Sequence, residues 1–118
     1  VDELPYSLLS GIDRSLEQVQ EKVKSLNGIF IPAHIDRPTF SITSQLGFVP
    51  PDLNPDLFEI SKFCSTQKIL KQYPYISKYK IVQDSDAHFI DDVGAVCNVF
   101  EMNELSFQSI KNYLCGIC

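Results

Sequence analysis

The sequence predicts an α/β domain with a mostly parallel sheet. Helix-periodic segments largely alternate with short strands, in the order helix, strand, strand, helix, strand, strand, helix. The strand segments are continuous apolar runs rather than alternating ones, which suits strands buried on both faces. Both histidines of the chain follow directly on such runs, where parallel folds collect their functional groups.

Each element has its own signal. Ser15 is a good N-cap and Gln18 completes a capping box for a helix over residues 15–26. Leu16, Val19, Val23 and Leu26 share one face of it, and Asn27-Gly28 supplies a left-handed stop. Ile29-Phe30-Ile31 reads as the first strand. Residues 34–56 hold Pro38, Pro50, Pro51, Pro55 and Gly47, a long punctuated connection with one helical turn at Ser41–Leu46. Loops of that length inside compact domains are usually functional or mobile. Leu57–Ile60 is the second strand, and Thr66–Tyr73 a helix ended by Pro74. Lys80–Val82 is the third strand and leads into Gln83-Asp84-Ser85-Asp86-Ala87-His88. Val96–Phe100 is the fourth, and Ser106 caps a last helix in which Phe107, Ile110 and Leu114 share a face. No repeat, low-complexity tract or boundary divides the chain, so residues 1–118 read as a single domain.

Composition narrows the function classes. Apolar residues make up 44% and charged residues 21%, an ordinary globular balance. With a net charge of −5 the chain gains nothing from counterion release, which argues against nonspecific nucleic-acid binding. No apolar run approaches the roughly 20 residues that span a bilayer. The start, Val1-Asp2-Glu3-Leu4-Pro5, has neither a basic nor an apolar leader region and no Met, so a fragment or processed chain is expected. Cys64, Cys97, Cys115 and Cys118 lack disulfide-scaffold spacing and read as reduced thiols of a cytoplasmic protein.

His34 follows the first strand, and His88 follows the third, two residues after Asp86. An Asp-x-His pair at a strand end offers carboxylate oxygen and imidazole nitrogen, donors that suit zinc, manganese or iron. Taken alone, the same residues read equally well as hydrogen-bonded loop groups capping strand ends. Glu59, inside an apolar strand, needs a partner and is expected in a structural ion pair rather than as a general base. Asp84 reads as a strand-end cap facing away from the Asp86 site, and Asp91-Asp92 as a solvated turn or helix start. Cys115-Gly116-Ile117-Cys118 ends a helix, whereas a redox pair opens one, so incidental thiols are the expectation.

Ile31-Pro32-Ala33-His34-Ile35-Asp36-Arg37-Pro38 resembles the third metal-binding block of the polymerase and histidinol phosphatase (PHP) family, and Ser85-Asp86-Ala87-His88 is similar to its fourth. The stretch from Phe40 to Pro50, running on to Glu59-Ile60-Ser61, resembles one branch of PHP phosphoesterases. The resemblance covers nearly the whole chain. It implies the C-terminal half of a seven-stranded, TIM-like β/α barrel, with a cluster of divalent ions at the C-terminal mouth. His34, Asp86 and His88 would each ligate a different ion. It further implies metal-dependent hydrolysis of phosphate esters, with a phosphorylated small molecule, a nucleotide or a nucleic-acid end as substrate. Arg37, three residues after His34, is then a candidate for bidentate phosphate binding; its alternative is a surface Arg paired with Asp36 or a carbonyl.

The chain departs from the family pattern in one respect. The family's first His-x-His block, and the His and acid of its second, have no counterpart, and the chain has just two histidines. The expectation is that the chain alone holds no metal tightly and hydrolyses nothing, the missing N-terminal half of the domain being its partner. Half a barrel leaves open sheet edges, so self-association or an open α/β sandwich is expected. Some PHP domains have lost activity and serve as structural modules. A non-enzymatic interaction module, with Phe40, Leu46 and Phe48 of the long loop as its surface, is the alternative.

Overall fold

The structure, a computed structural model, describes residues 11–116. Its elements are α1 (Leu16–Ser25), α2 (Ile42–Leu46), β1 (Leu57–Ile60), α3 (Thr66–Gln72), a 3₁₀ turn (Pro74–Lys78), β2 (Lys80–Gln83), a second 3₁₀ turn (Ile90–Asp92) and α4 (Phe107–Cys115). β1 and β2 pair in parallel, Leu57 opposite Lys80 and Ile60 opposite Gln83. α3 lies in the crossover between them, as parallel pairing requires. The α/β class is therefore as the sequence predicts.

The helix ends form where local chemistry puts them. The Ser15 N–H donates to Gln18 Oε1 at 2.9 Å, and Ser15 Oγ accepts from the Gln18 N–H at 3.3 Å, closing the capping box of α1. At its other end the Gly28 N–H reaches Val23 O and the Asn27 N–H reaches Lys24 O, both at 2.9 Å, with Asn27 at φ +59°. This is a Schellman stop in which Asn takes the left-handed position. Lys111 of α4 donates to the Asn27 carbonyl and side chain at 2.9 and 2.6 Å, tying the last helix to the end of the first. A Cβ on Gly28 would lie 2.8 Å from Val23 Cγ1 and 3.1 Å from Val23 O. Gly28→Ala is accordingly expected to cost about 1–3 kcal/mol, the range for overpacking, and urea unfolding would read it as a lowered midpoint at unchanged slope.

Two expected strands are not regular strands. Residues 29–35 do run alongside β1: the Asp56 N–H donates to Phe30 O at 3.0 Å, Glu59 N–H to Pro32 O at 3.1 Å and Ile35 N–H to Glu59 O at 2.9 Å. The ladder stays incomplete because Pro32 has no N–H to give and because the chain turns left-handed at His34, φ +31°. At Val96–Phe100 the side chain of Asn98 replaces a backbone ladder. Its Oδ1 accepts from the Gln83 N–H at 3.3 Å and its Nδ2 donates to Gln83 O at 3.0 Å, taking both groups a neighbouring strand would use.

Both faces of the sheet are covered. Phe58 and Ile60 point to a core with Ile35, Val49, Leu53, Ile69 of α3 and Ile76 of the first 3₁₀ turn, against which Leu16, Val19 and Val23 of α1 pack. Leu57 and Val82 point the other way, to Leu114 and Ile110 of α4 and to Phe100. Phe107, expected on the buried face of α4, sits in its first turn and is 55% exposed. Among the described residues no helix is long and apolar enough to cross a membrane.

Candidate functional site

The residues singled out from the sequence sit at the carboxyl ends of β1 and β2. His34 opens a tight turn in which the Arg37 N–H bonds back to His34 O at 3.0 Å. The turn is pinned on both sides. Asp36 accepts from the Ser61 N–H and from Ser61 Oγ, each at 2.6 Å, clamping it to the end of β1. Ser41 Oγ donates to Arg37 O at 2.6 Å, and Thr43 Oγ1 to Ile35 O, so the capped start of α2 holds its far side. Within this frame His34 Nδ1 is buried and has no hydrogen-bond partner.

The second loop leaves β2 at Gln83. Gln83 Nε2 donates to Ser61 O and to Cys64 O, both at 2.8 Å, so the two strand ends are joined side by side. Asn98 Nδ2 donates to Asp84 Oδ1 at 2.7 Å, which makes Asp84 the strand-end cap expected of it. Asp86 takes the left-handed conformation, φ +48°. Such conformations cost about 1 kcal/mol or more for non-glycine residues and gather at functional sites, though Asp and His tolerate them better than most. Among the described residues four non-glycine residues have positive φ, and His34 and Asp86 are two of them.

The two loops meet. Arg37 Nη1 donates to Asp86 Oδ2 at 2.5 Å, across 49 residues of sequence. His88 Nδ1 lies 2.7 Å from Asp86 O. A carbonyl can only accept, so Nδ1 is the donor, and in the neutral ring the Nε2 lone pair is left for a ligand. Arg37, Asp86 and His88 line one cavity of about 400 Å³ with Ser61, Lys62 and Phe63. His34 is not on its wall. Among the described residues no three His, Cys, Asp or Glu side chains converge as one metal site. Asp92, in the second 3₁₀ turn, pairs with Lys62 at 3.6 Å across the same cavity.

Two expectations need correction. Glu59 makes no ion pair among the described residues. Its carboxyl pKa is pushed up, first by burial and then by the nearby charge of Asp84, while His34 pulls it down. It sits in register with Val82, on the sheet face away from Phe58, where no Lys or Arg reaches it. Arg37 pairs with neither Asp36 nor a carbonyl but with Asp86. Cys115 is half-buried, its Sγ 3.6 Å from Asp56 Oδ1, and burial together with that carboxylate raises its thiol pKa. A raised pKa disfavours the reactive thiolate. Cys118, the other half of that motif, lies outside the described residues.

Over 96 residues the chain is 32% identical to the uncharacterized protein YqxK of Bacillus subtilis (strain 168). The match takes in 77% of this chain and 23% of that protein, so the chain spans less than a quarter of the length of the relative it matches. No family model matches the chain, and no solved structure matches it.

Asp36, Gln83 and Asn98 hold the site together, and sequence reasoning passed over all three as site residues. Asp36 stood inside the quoted His34–Pro38 string, and Asn98 was the lone polar residue of an apolar run. A polar side chain in a run otherwise fit for a buried strand is a signal that it bonds to backbone rather than to solvent.

Proposed function

We propose that the chain is the C-terminal half of a PHP-type phosphoesterase domain, whose complete form hydrolyses phosphate esters with divalent metal ions. The observation that carries this reading is the unpartnered, buried Nδ1 of His34 at the carboxyl end of a parallel sheet. A buried nitrogen without a partner loses its hydration for nothing in return, unless a ligand completes it. The donor types suit zinc, manganese or iron, each side chain being one arm of a separate ion's shell: an imidazole nitrogen at His34, the carboxylate of Asp86 and the Nε2 of His88, whose Nδ1 lies against Asp86 O. Such ions, completed by ligands from outside this chain, would supply Lewis acidity and a water nucleophile at neutral pH.

The chain's own residues then divide the remaining work. The Asp36–Ser61 clamp fixes the His34 turn, and the Gln83 bonds to Ser61 O and Cys64 O fix the Asp86 loop beside it. Arg37 and Lys62 bring positive charge to the cavity wall, where a phosphate group would lie. The β1–α3–β2 crossover, with residues 29–35 hydrogen-bonded along β1, supports a place in a seven-stranded β/α barrel. The remaining ligands would come from the missing N-terminal half, and the substrate class is a phosphorylated small molecule or nucleotide, in the cytoplasm.

Phosphorus-31 NMR tests the reading. A protein that carries the chain within a complete domain, loaded with Mn²⁺ or Zn²⁺, is expected to release inorganic phosphate from phosphate monoesters, or to cleave diesters. EDTA is expected to stop it, and the 118-residue chain alone to be inert. Absence of turnover across mono- and diester substrates in the metal-loaded whole protein would leave a second reading. That reading is a binding module, and it rests on Phe40, Leu46 and Phe48, which the long loop leaves exposed.

A further inference from the structure

The amino ends of β1 and β2, at the far end of the sheet from His34 and Asp86, border another cavity, of about 350 Å³. Three lysines line it: Lys24 from the last turn of α1, Lys78 from the end of the first 3₁₀ turn and Lys80 from the start of β2. The acid on its wall is Asp56. In a chain of net charge −5, three ammonium groups against one carboxylate leave a local surplus of two positive charges. Among the described residues no carboxylate stands within ion-pair distance of any of the three lysines. Asp56 is spent elsewhere: its Oδ2 accepts from the Phe30 N–H at 2.7 Å, and its Oδ1 faces Cys115 Sγ. The lysines are oriented rather than neutralised. Lys24 donates to Asn54 O and Lys80 to Tyr113 O, each with one of its three N–H groups. The Lys80 ammonium lies 4.6 Å from the Tyr113 ring centre, and that of Lys78 5.0 Å from the Tyr79 ring centre. Their field reaches the cavity wall: burial and then Asp56 push the Cys115 thiol pKa up, while Lys111 and Lys80 pull against them.

We propose that this cavity binds a small phosphate monoester, held by Lys24, Lys78 and Lys80. The charge of the ligand follows from the surplus. A phosphate monoester has its second pKa near 6 and is close to a dianion at neutral pH. Lysine ammonium groups bind phosphate as point charges and need no fixed fork geometry. The volume admits a phosphate together with a small organic body. A recess in an acidic chain favours a soluble ligand over an anionic membrane surface, which would repel the rest of the molecule. Because the three lysines come from α1, the first 3₁₀ turn and β2, one bound dianion would tie these three segments together.

The protein to test carries the chain within its complete domain and is kept in EDTA, so that no metal ion contributes to phosphate binding. Titration calorimetry with inorganic phosphate is expected to show saturable binding that weakens as salt is added. Lys78→Gln should weaken it about two- to fivefold, the scale of one exposed ion pair. Lys78→Gln combined with Lys80→Gln should abolish it, and Lys78→Arg, which keeps the charge, should restore it to within about twofold of the natural protein. Lys78 is exposed, so its single variants keep the fold even if loss of the Lys80 bond to Tyr113 O does not. Absence of saturable phosphate binding, or equal binding by the natural protein and the double variant, overturns the site. Binding that is lost in Arg37→Gln with Lys62→Gln and kept in Lys78→Gln places the phosphate in the cavity at the other end of the sheet, and also overturns it. Capture by phosphatidate vesicles without binding of inorganic phosphate refutes the soluble ligand in favour of a membrane contact.

Discussion

Replacing Asp86 by Asn in a protein with the complete domain is expected to cut the proposed metal-dependent phosphoester hydrolysis by more than about 100-fold. The same change should cost no more than about 1 kcal/mol of folding stability. The first figure follows from scale. Loss of a group that only supports a metal ligand typically costs tenfold to 100-fold, and Asp86 is proposed as a ligand itself. The second follows from the structure. Asp86 loses its bond from Arg37, but both partners are partly exposed, so the pair contributes what surface pairs do. Asn also suits the backbone: φ at this position is +48°, and Asn tolerates the left-handed region better than any other non-glycine residue. The variant thus separates chemistry from fold. Measuring kcat/KM, bound metal and a denaturant melt on one preparation would check it. Hydrolysis within a few-fold of the natural protein at saturating metal would remove Asp86 from the site.

How far the sequence foretold this arrangement depended on the range of the interactions. Ser15 and Ser106 cap helices, and caps act within three residues, so α1 and α4 are legible with their starts nearly in place, while α3 is legible as Thr66–Tyr73 from the proline that stops it. β1 and β2 were legible as apolar runs. The Ile29–Ile31 and Val96–Phe100 runs carried the same signal, and each failed as a strand for a reason that lies outside the run. Pro32, one residue on, removes a donor, and Asn98 puts its side chain where a neighbouring backbone would be. The 3₁₀ turn at Pro74–Lys78 is hidden in the sequence because Pro74 ends one helix and suits the first position of the next.

The site was legible in its members and not in its contacts. Position after an apolar run placed His34, Asp86 and His88 at strand ends. Nothing in the spacing said that Arg37 would choose Asp86, 49 residues away, over its neighbour Asp36. The structure supplies the reason: both carboxylate oxygens of Asp36 are taken by bonds from Ser61. Glu59 shows the converse failure. A lone acid in an apolar strand is expected to find a cation, yet among the described residues no Lys or Arg pairs with it, and burial, followed by the charge of Asp84, raises its carboxyl pKa instead.

The largest effect on stability is expected at Phe58→Ala, at about 3–5 kcal/mol. Phe58 is fully buried at the centre of β1, and its ring stands edge-on to Tyr79, with centroids 5.3 Å apart at 86°. Ala would remove the transfer energy of the ring, leave a cavity among residues from four separate segments, and lose the aromatic pair. A domain of this size has roughly 5–15 kcal/mol to lose, so the variant should melt lower by roughly 10–20 °C or fail to fold at 37 °C. Phe63→Ala is the matched control. Phe63 is 84% exposed, and its loss should change stability by no more than about 0.5 kcal/mol. Thermal melts of the two variants would decide the matter. Equal and small shifts would mean that the ring of Phe58 does not lie between β1 and the helical layer, and with it would go the assignment of which sheet face holds the main core.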